Sequence, residues 1–143
     1  MAAVGAATSP QGDYAGVTAL VVDDNDFVRD LVANQLRQIG FATVRTAPDG
    51  GAALKICDEA APGLMICDIN MEPMGGFELI TRLRDKGKTG PEKIPTIMLS
   101  SHAVPEFIDR ARLLDVDAFL VKPVKKDALA ERIRTVLQQR KPS

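Results

Sequence analysis

Residues 64–70 read LMICDIN. Leu64, Met65, Ile66 and Cys67 run without a polar break straight into Asp68. Pro62-Gly63 stands before the run and NMEPMGG, rich in turn formers, follows it. A short, continuous apolar run punctuated on both sides reads as a strand buried on both faces, the kind that parallel sheets contain. On this stretch alone Asp68 reads as an ordinary solvated strand-end residue. What stands at the ends of the other strands decides whether it is more.

Working outward, the chain alternates regularly from Val17 on. TALVVDD is an apolar run ending in two acids. DFVRDLVANQLRQIG carries Val28, Leu31, Val32, Leu36 and Ile39 at helical spacing, with Gly40 placed to stop the helix. FATVRTA is a short strand, and DGGAALKICDEAAP a helix ending before Pro62. After LMICD come a helix in GFELITRLRDKG (Phe77, Ile80 and Leu83 inward) and a strand in IPTIMLSS. A helix in VPEFIDRARLLD follows, with Phe107, Ile108, Ala111 and Leu114 on one face. The strand DAFLVK and the helix KKDALAERIRTVLQQ, with Leu129, Ile133, Val136 and Leu137 inward, complete the series. Five strands and five helices in strict alternation predict an α/β fold: a doubly wound parallel sheet with helices on both faces, joined by right-handed crossovers.

Composition bounds the function. The 143 residues make one domain, with 45% hydrophobic and 26% charged residues, ordinary for a soluble globular chain. A net charge of −1 provides no global field toward nucleic acid or membrane. No apolar run has the length of a membrane span. The start, MAAVGAATSPQGDYAG, lacks the basic and apolar regions of a signal peptide and reads as a flexible arm over residues 1–16. The domain is expected over 17–140 and a polar tail over 141–143. Cys57, Cys67 and the single His102 match no zinc spacing, and two reduced thiols fit a cytoplasmic protein.

In open α/β sheets ligands bind beyond the carboxyl ends of the strands. At those ends stand Asp23-Asp24, Asp68, Ser100-Ser101 and Lys122-Pro123. Taken singly, each has an ordinary role: a helix cap from Asp24 or Asn25, a turn serine, a solvated loop lysine. Taken together, three carboxylates converging on one edge repel each other and call for a hard cation such as Mg²⁺, which shares sites with phosphate. A carboxylate nucleophile, a metal, a lysine and a hydroxyl make a site for forming and breaking an aspartyl phosphate.

LVVDDND, LMICDINMEPMGGFEL, PTIMLSS and AFLVKPV, in this order, resemble the receiver domain of two-component response regulators, the CheY-like family. The resemblance covers about residues 17 to 138. It implies a flavodoxin-like (βα)5 fold with strand order 2-1-3-4-5. It implies that Asp68 is the phosphoacceptor. Mg²⁺ (Mn²⁺ as a substitute) would be held by Asp24, Asp68, the Asn70 carbonyl and, through water, Asp23. Lys122 would contact the phosphoryl group, with a cis Lys122–Pro123 bond. Ser100 would be the switch hydroxyl, coupled to the aromatic Phe119, and Gly76 would follow the phosphoacceptor loop. Asn70 and His102 would tune dephosphorylation.

The resemblance further implies a monomer that takes its phosphoryl group from a histidine kinase or histidine phosphotransfer protein. Output would pass to a protein target through the fourth helix, fifth strand and fifth helix. Some positions depart from the commonest pattern. Ser100 replaces Thr, Ser101 replaces Ala, Pro73 comes one place late, and Phe119 replaces Tyr and so brings no phenolic hydroxyl.

Competing signals are weaker. GKTG at 87–90 lacks the upstream glycine and the preceding strand of a P-loop. Asp68-Ile69-Asn70 is not the paired-aspartate motif of haloacid-dehalogenase phosphatases. The acids after the first strand would repel the phosphate of a flavin mononucleotide. The basic last helix reads as a solvated face or as a docking surface for an acidic partner. Nothing resembles a helix-turn-helix, so direct DNA binding is not expected. Two alternatives stay open: a pseudo-receiver that binds without being phosphorylated, and the receiver part of a longer regulator. An enzyme acting on a separate substrate ranks behind both.

Overall fold

The computed structural model describes residues 14–85, 94–102 and 104–140. Most of the expected arm, the GKTG stretch and the tail at 141–143 lie outside the described residues. Among the described residues five strands alternate with five helices: β1 Thr18–Val22, α1 Asp26–Ile39, β2 Thr43–Ala47, α2 Gly50–Glu59, β3 Leu64–Asp68, α3 Gly76–Asp85, β4 Thr96–Ser100, α4 Pro105–Leu113, β5 Ala118–Val121 and α5 Lys126–Arg140. All strand pairs are parallel, in the order β2-β1-β3-β4-β5. This is the doubly wound order expected, with its switch point between β1 and β3.

The period-2 alternation of a strand splits the core in two. Leu20, Val22, Met65, Cys67 and Met98 face one side, where Ala53, Cys57, Leu79, Ile80, Leu83 and Ala111 of α2, α3 and α4 meet them. Ala19, Val21, Leu64, Ile66, Ile97 and Leu99 face the other, against Val32, Leu36, Leu129, Ile133 and Val136 of α1 and α5. Every residue of β3 and β4 is buried, as the unbroken apolar runs require.

The helix ends follow local chemistry. Asn25 caps α1 by accepting from Val28 N at 3.0 Å, and Asp49 caps α2 by accepting from Ala52 N at 2.8 Å. Gly40 ends α1 at φ 136°, a conformation open to glycine, with its N–H donating to Leu36 O at 3.0 Å.

Three details differ from expectation. Leu31 is 37% exposed and shares an outer face with Phe27, one turn back and 76% exposed, because the inward stripe of α1 follows Val32, Leu36 and Ile39. On α4 only Ala111 is fully buried, while Phe107, Ile108 and Leu114 are half-buried. The end of the expected arm packs on the domain. Tyr14 stacks on Phe41 with ring centroids 4.7 Å apart, and its carbonyl accepts from Val17 N at 3.0 Å.

Candidate functional site

β1 and β3 are neighbours, with Val22 in register with Cys67. The next residues, Asp23 and Asp68, therefore emerge side by side at the carboxyl edge of the sheet. Both are buried, whereas Asp24 is exposed. Because Asn25 takes the capping role, neither aspartate is used as a cap. Asp23 is held in place instead. Its Oδ1 accepts from Asn25 N at 2.9 Å, and its carbonyl accepts from Arg29 Nη1 at 2.9 Å. The second nitrogen of Arg29 donates to Asp26 at 2.6 Å. The pattern of apolar residues carries no signal for this role of Arg29, since only the turn geometry brings its guanidinium back to a strand-end carbonyl.

Lys122 reaches the same place from β5. Its N–H donates to Ser100 O at 2.7 Å, continuing the β4–β5 ladder, and its bond to Pro123 is cis. Its ammonium lies 2.9 Å from Asp68 Oδ1 and 3.1 Å from Asp23 Oδ2. One cation thus bridges two buried carboxylates, and a third carboxylate stands beside them. Ligand oxygens of Asp23, Asp24 and Asp68 lie within 4.8 Å of one another.

The charges in this cluster do not balance. Burial pushes the Asp68 carboxyl above the usual carboxylate range. The hydrogen bond from Lys122 pulls it down, Asp23 and Asp24 push it up again, and the net direction is up. Burial alone would lower the Lys122 ammonium, but its close pairing with the Asp68 and Asp23 carboxylates outweighs burial and holds it above the ordinary lysine value. Asp23 Oδ2 is fully buried and has the ammonium as an ion-pair partner without a well-directed hydrogen bond.

This is a donor set suited to a hard divalent cation. It is all oxygen and carries surplus negative charge, with an under-used buried carboxylate oxygen and one ligand open to solvent. Mg²⁺ fits, and Mn²⁺ shares its preference for carboxylate and carbonyl oxygen. The neighbouring Cys67 thiol is buried and donates to Asp68 O at 3.3 Å. Burial and the adjacent acids push its pKa far up, so it offers no thiolate ligand.

A cleft of about 370 Å³ opens beside the cluster, lined by Asp24, Ile69, Asn70, Met71, Glu72 and Pro73. Asn70 is exposed on this cleft. The Glu72–Pro73 bond is also cis, which the sequence pattern did not signal. Gly76 opens α3. A Cβ there would sit 2.3 Å from Asp68 O and 2.9 Å from Met98 Cε, so the start of α3 approaches the end of β3 as only glycine permits.

The other residues singled out from the sequence lie around this centre. Ser100 is fully buried, and its hydroxyl is engaged with its own loop: it donates to His102 O at 2.8 Å and accepts from His102 N at 3.2 Å. His102 is exposed. Phe119 is half-buried against the core cluster on the α2, α3 and α4 side of the sheet.

The family model described as response regulator receiver domain matches residues 19–134. The sensor histidine kinase RcsC of Salmonella typhi is 36% identical over 122 residues, 80% of this chain and 12% of that protein. The heme response regulator HssR of Staphylococcus aureus is 33% identical over 123 residues, 86% of this chain and 52% of that one. The chain therefore spans an eighth to a half of the length of these relatives. Among solved structures, the chemotaxis protein CheY4 of Vibrio cholerae superposes with a TM-score of 0.77 at 30% identity, covering 84% of this chain and 98% of that one.

Proposed function

The chain belongs to the response regulator receiver domain family, and from that premise we propose that it is a phosphoacceptor that takes a phosphoryl group onto Asp68 from a protein phosphohistidine. The donor is a histidine kinase or a histidine phosphotransfer protein. An Asp68 carboxylate oxygen attacks phosphorus, the P–N bond breaks, and the imidazole leaves with its proton. The observation that carries this reading is the Lys122 ammonium 2.9 Å from Asp68 Oδ1, in a cluster with surplus negative charge. The ammonium orients the nucleophile and stands ready to neutralise a phosphoryl oxygen. Mg²⁺, held by Asp23, Asp24, Asp68 and the Asn70 carbonyl, would offset the negative charge of the transferred group.

Phosphorylation is read out by contact with another protein. Ser100 leaves its bonds to the His102 backbone for the phosphoryl group, Phe119 repacks, and the α4, β5 and α5 surface shifts population. The apolar Leu113 (79% exposed) and Val121 (43% exposed) on α4 and β5 support this surface as the docking face. The weak burial of α4 supports its being the element that moves. Asn70 and His102 flank the approach of water and set the lifetime of the acyl phosphate. Among the described residues no helix is long and apolar enough to cross a membrane.

The test is chemical mapping of the adduct. After phosphorylation, borohydride reduction should convert residue 68 to homoserine, located by peptide mass, and hydroxylamine should release the phosphoryl group. A hydroxylamine-resistant phosphate on Ser100 or Ser101 would contradict the reading.

A further inference from the structure

The cleft beside the carboxylate cluster contains one acidic residue that the proposed chemistry does not use. Glu72 lines it together with Asp24, Asn70 and Met71, and its side chain is exposed. Its carboxylate is not among the groups whose ligand atoms gather within 4.8 Å, which are Asp23, Asp24 and Asp68. Glu72 also has no ion-pair partner among the described residues, whereas Asp23 and Asp68 share the Lys122 ammonium. The mouth of the cleft therefore presents two carboxylates, Asp24 and Glu72. The one ammonium lies deeper and is already paired. A metal held by the cluster would draw on Asp24 and leave Glu72 as uncompensated charge on the cleft wall.

We propose that Glu72 is a donor-specificity residue: its charge disfavours small, doubly anionic phosphodonors approaching Asp68 through this cleft. The inference rests on Asp68 being the phosphoacceptor. A free acyl phosphate that enters along the Asp24 wall of this cleft brings its full charge past Glu72 before the Asp68 oxygen attacks phosphorus, the P–O bond breaks and the carboxylate leaves. A donor with less net charge meets proportionally less repulsion. The effect acts at a distance through water, so it is modest and weakens in salt.

The experiment compares the full chain with Glu72→Gln and Glu72→Lys, at saturating Mg²⁺, using two donors. Acetyl phosphate is doubly charged at neutral pH, and phosphoramidate carries one net negative charge. Glu72→Gln should speed labelling by acetyl phosphate about two- to fivefold, with a smaller gain for phosphoramidate. Glu72→Lys should extend the same order, and molar salt should compress all the differences. Equal rates for the three proteins with acetyl phosphate would overturn the proposal. So would a slowing with both donors accompanied by a weaker Mg²⁺ midpoint in thermal unfolding, which would make Glu72 part of the cation's hold instead. Failure of all three proteins to label with either small donor would overturn the proposal, and Asp68 itself would be removed as acceptor only if a phosphohistidine donor also failed to label them.

Discussion

The Lys122 ammonium sits 2.9 Å from Asp68 Oδ1 and, through its other contact, 3.1 Å from Asp23 Oδ2. It joins the end of β5 to the ends of β3 and β1 across the sheet edge. It is the counter-charge that lets two buried carboxylates stand side by side, and it is aimed at the carboxylate proposed to carry the phosphoryl group.

Removing that ammonium leaves both carboxylates buried without compensation. Lys122→Met should lower unfolding free energy by about 2–3 kcal/mol, less than for a fully enclosed pair because the lysine retains some exposure. The pKa of Lys122 is raised on folding, so its contribution is fully present below the ordinary lysine value of 10.5. It is lost as pH rises through the higher folded value. Urea unfolding should therefore show a constant gap between the two proteins around neutral pH that closes in strong alkali.

Asp68 has the opposite consequence at neutral pH. Its folded pKa is raised, so it favours folding only while protonated, below the ordinary carboxylate pKa of about 3.9, and that contribution is lost as pH rises through the folded value. Asp68→Asn should raise the Tm at neutral pH without Mg²⁺, while Lys122 keeps Asp23 as its partner. The advantage should vanish on acidification.

A cation that binds the cluster binds only the folded chain. Mg²⁺ at ten times its dissociation constant should add about 1.4 kcal/mol to unfolding free energy. Asp24 is exposed and caps no helix, so Asp24→Asn should leave metal-free stability nearly unchanged while shifting the Mg²⁺ midpoint upward in thermal unfolding.

Gly76 is fixed by proximity. The Cβ of Gly76→Ala would meet the Asp68 carbonyl at 2.3 Å and the Ile69 Cα at 3.0 Å, and backbone cannot move aside as a side chain can. The substitution should cost about 3 kcal/mol or more. Gly50→Ala meets only the flexible Met74 side chain, at 2.6 Å from its sulfur, and should cost less. Equilibrium unfolding of the two variants checks the order.

Much of this was legible in the sequence because strand burial and strand-end chemistry are written locally. The unbroken run Leu64–Cys67 and its counterpart in β4 could only be central strands, and five alternations fixed which residues share the carboxyl edge. What was not legible depends on contacts between segments distant in the chain or on small rotations. A helical stripe does not say which of its borders turns outward, so Leu31 was placed inside although Val28 and Val32 form the inner edge. Arg29 reaches Asp23 O only because Asn25 sets the entry angle of α1. Tyr14 looked like part of a flexible arm because its partner, Phe41, lies beyond α1. The two backbone bonds that the loop after β4 gives the Ser100 hydroxyl depend on the turn at His102, which strand patterning does not encode.

Asp68 is proposed to accept a phosphoryl group in a cation-dependent reaction. The most direct measurement is intact mass after incubation with acetyl phosphate, with and without Mg²⁺, for the native chain and Asp68→Asn. The expected result is a single phosphoryl adduct on the native chain that requires Mg²⁺ and is absent from the variant. An adduct of equal yield on Asp68→Asn would contradict it, as would no adduct on the native chain from either acetyl phosphate or a phosphohistidine donor.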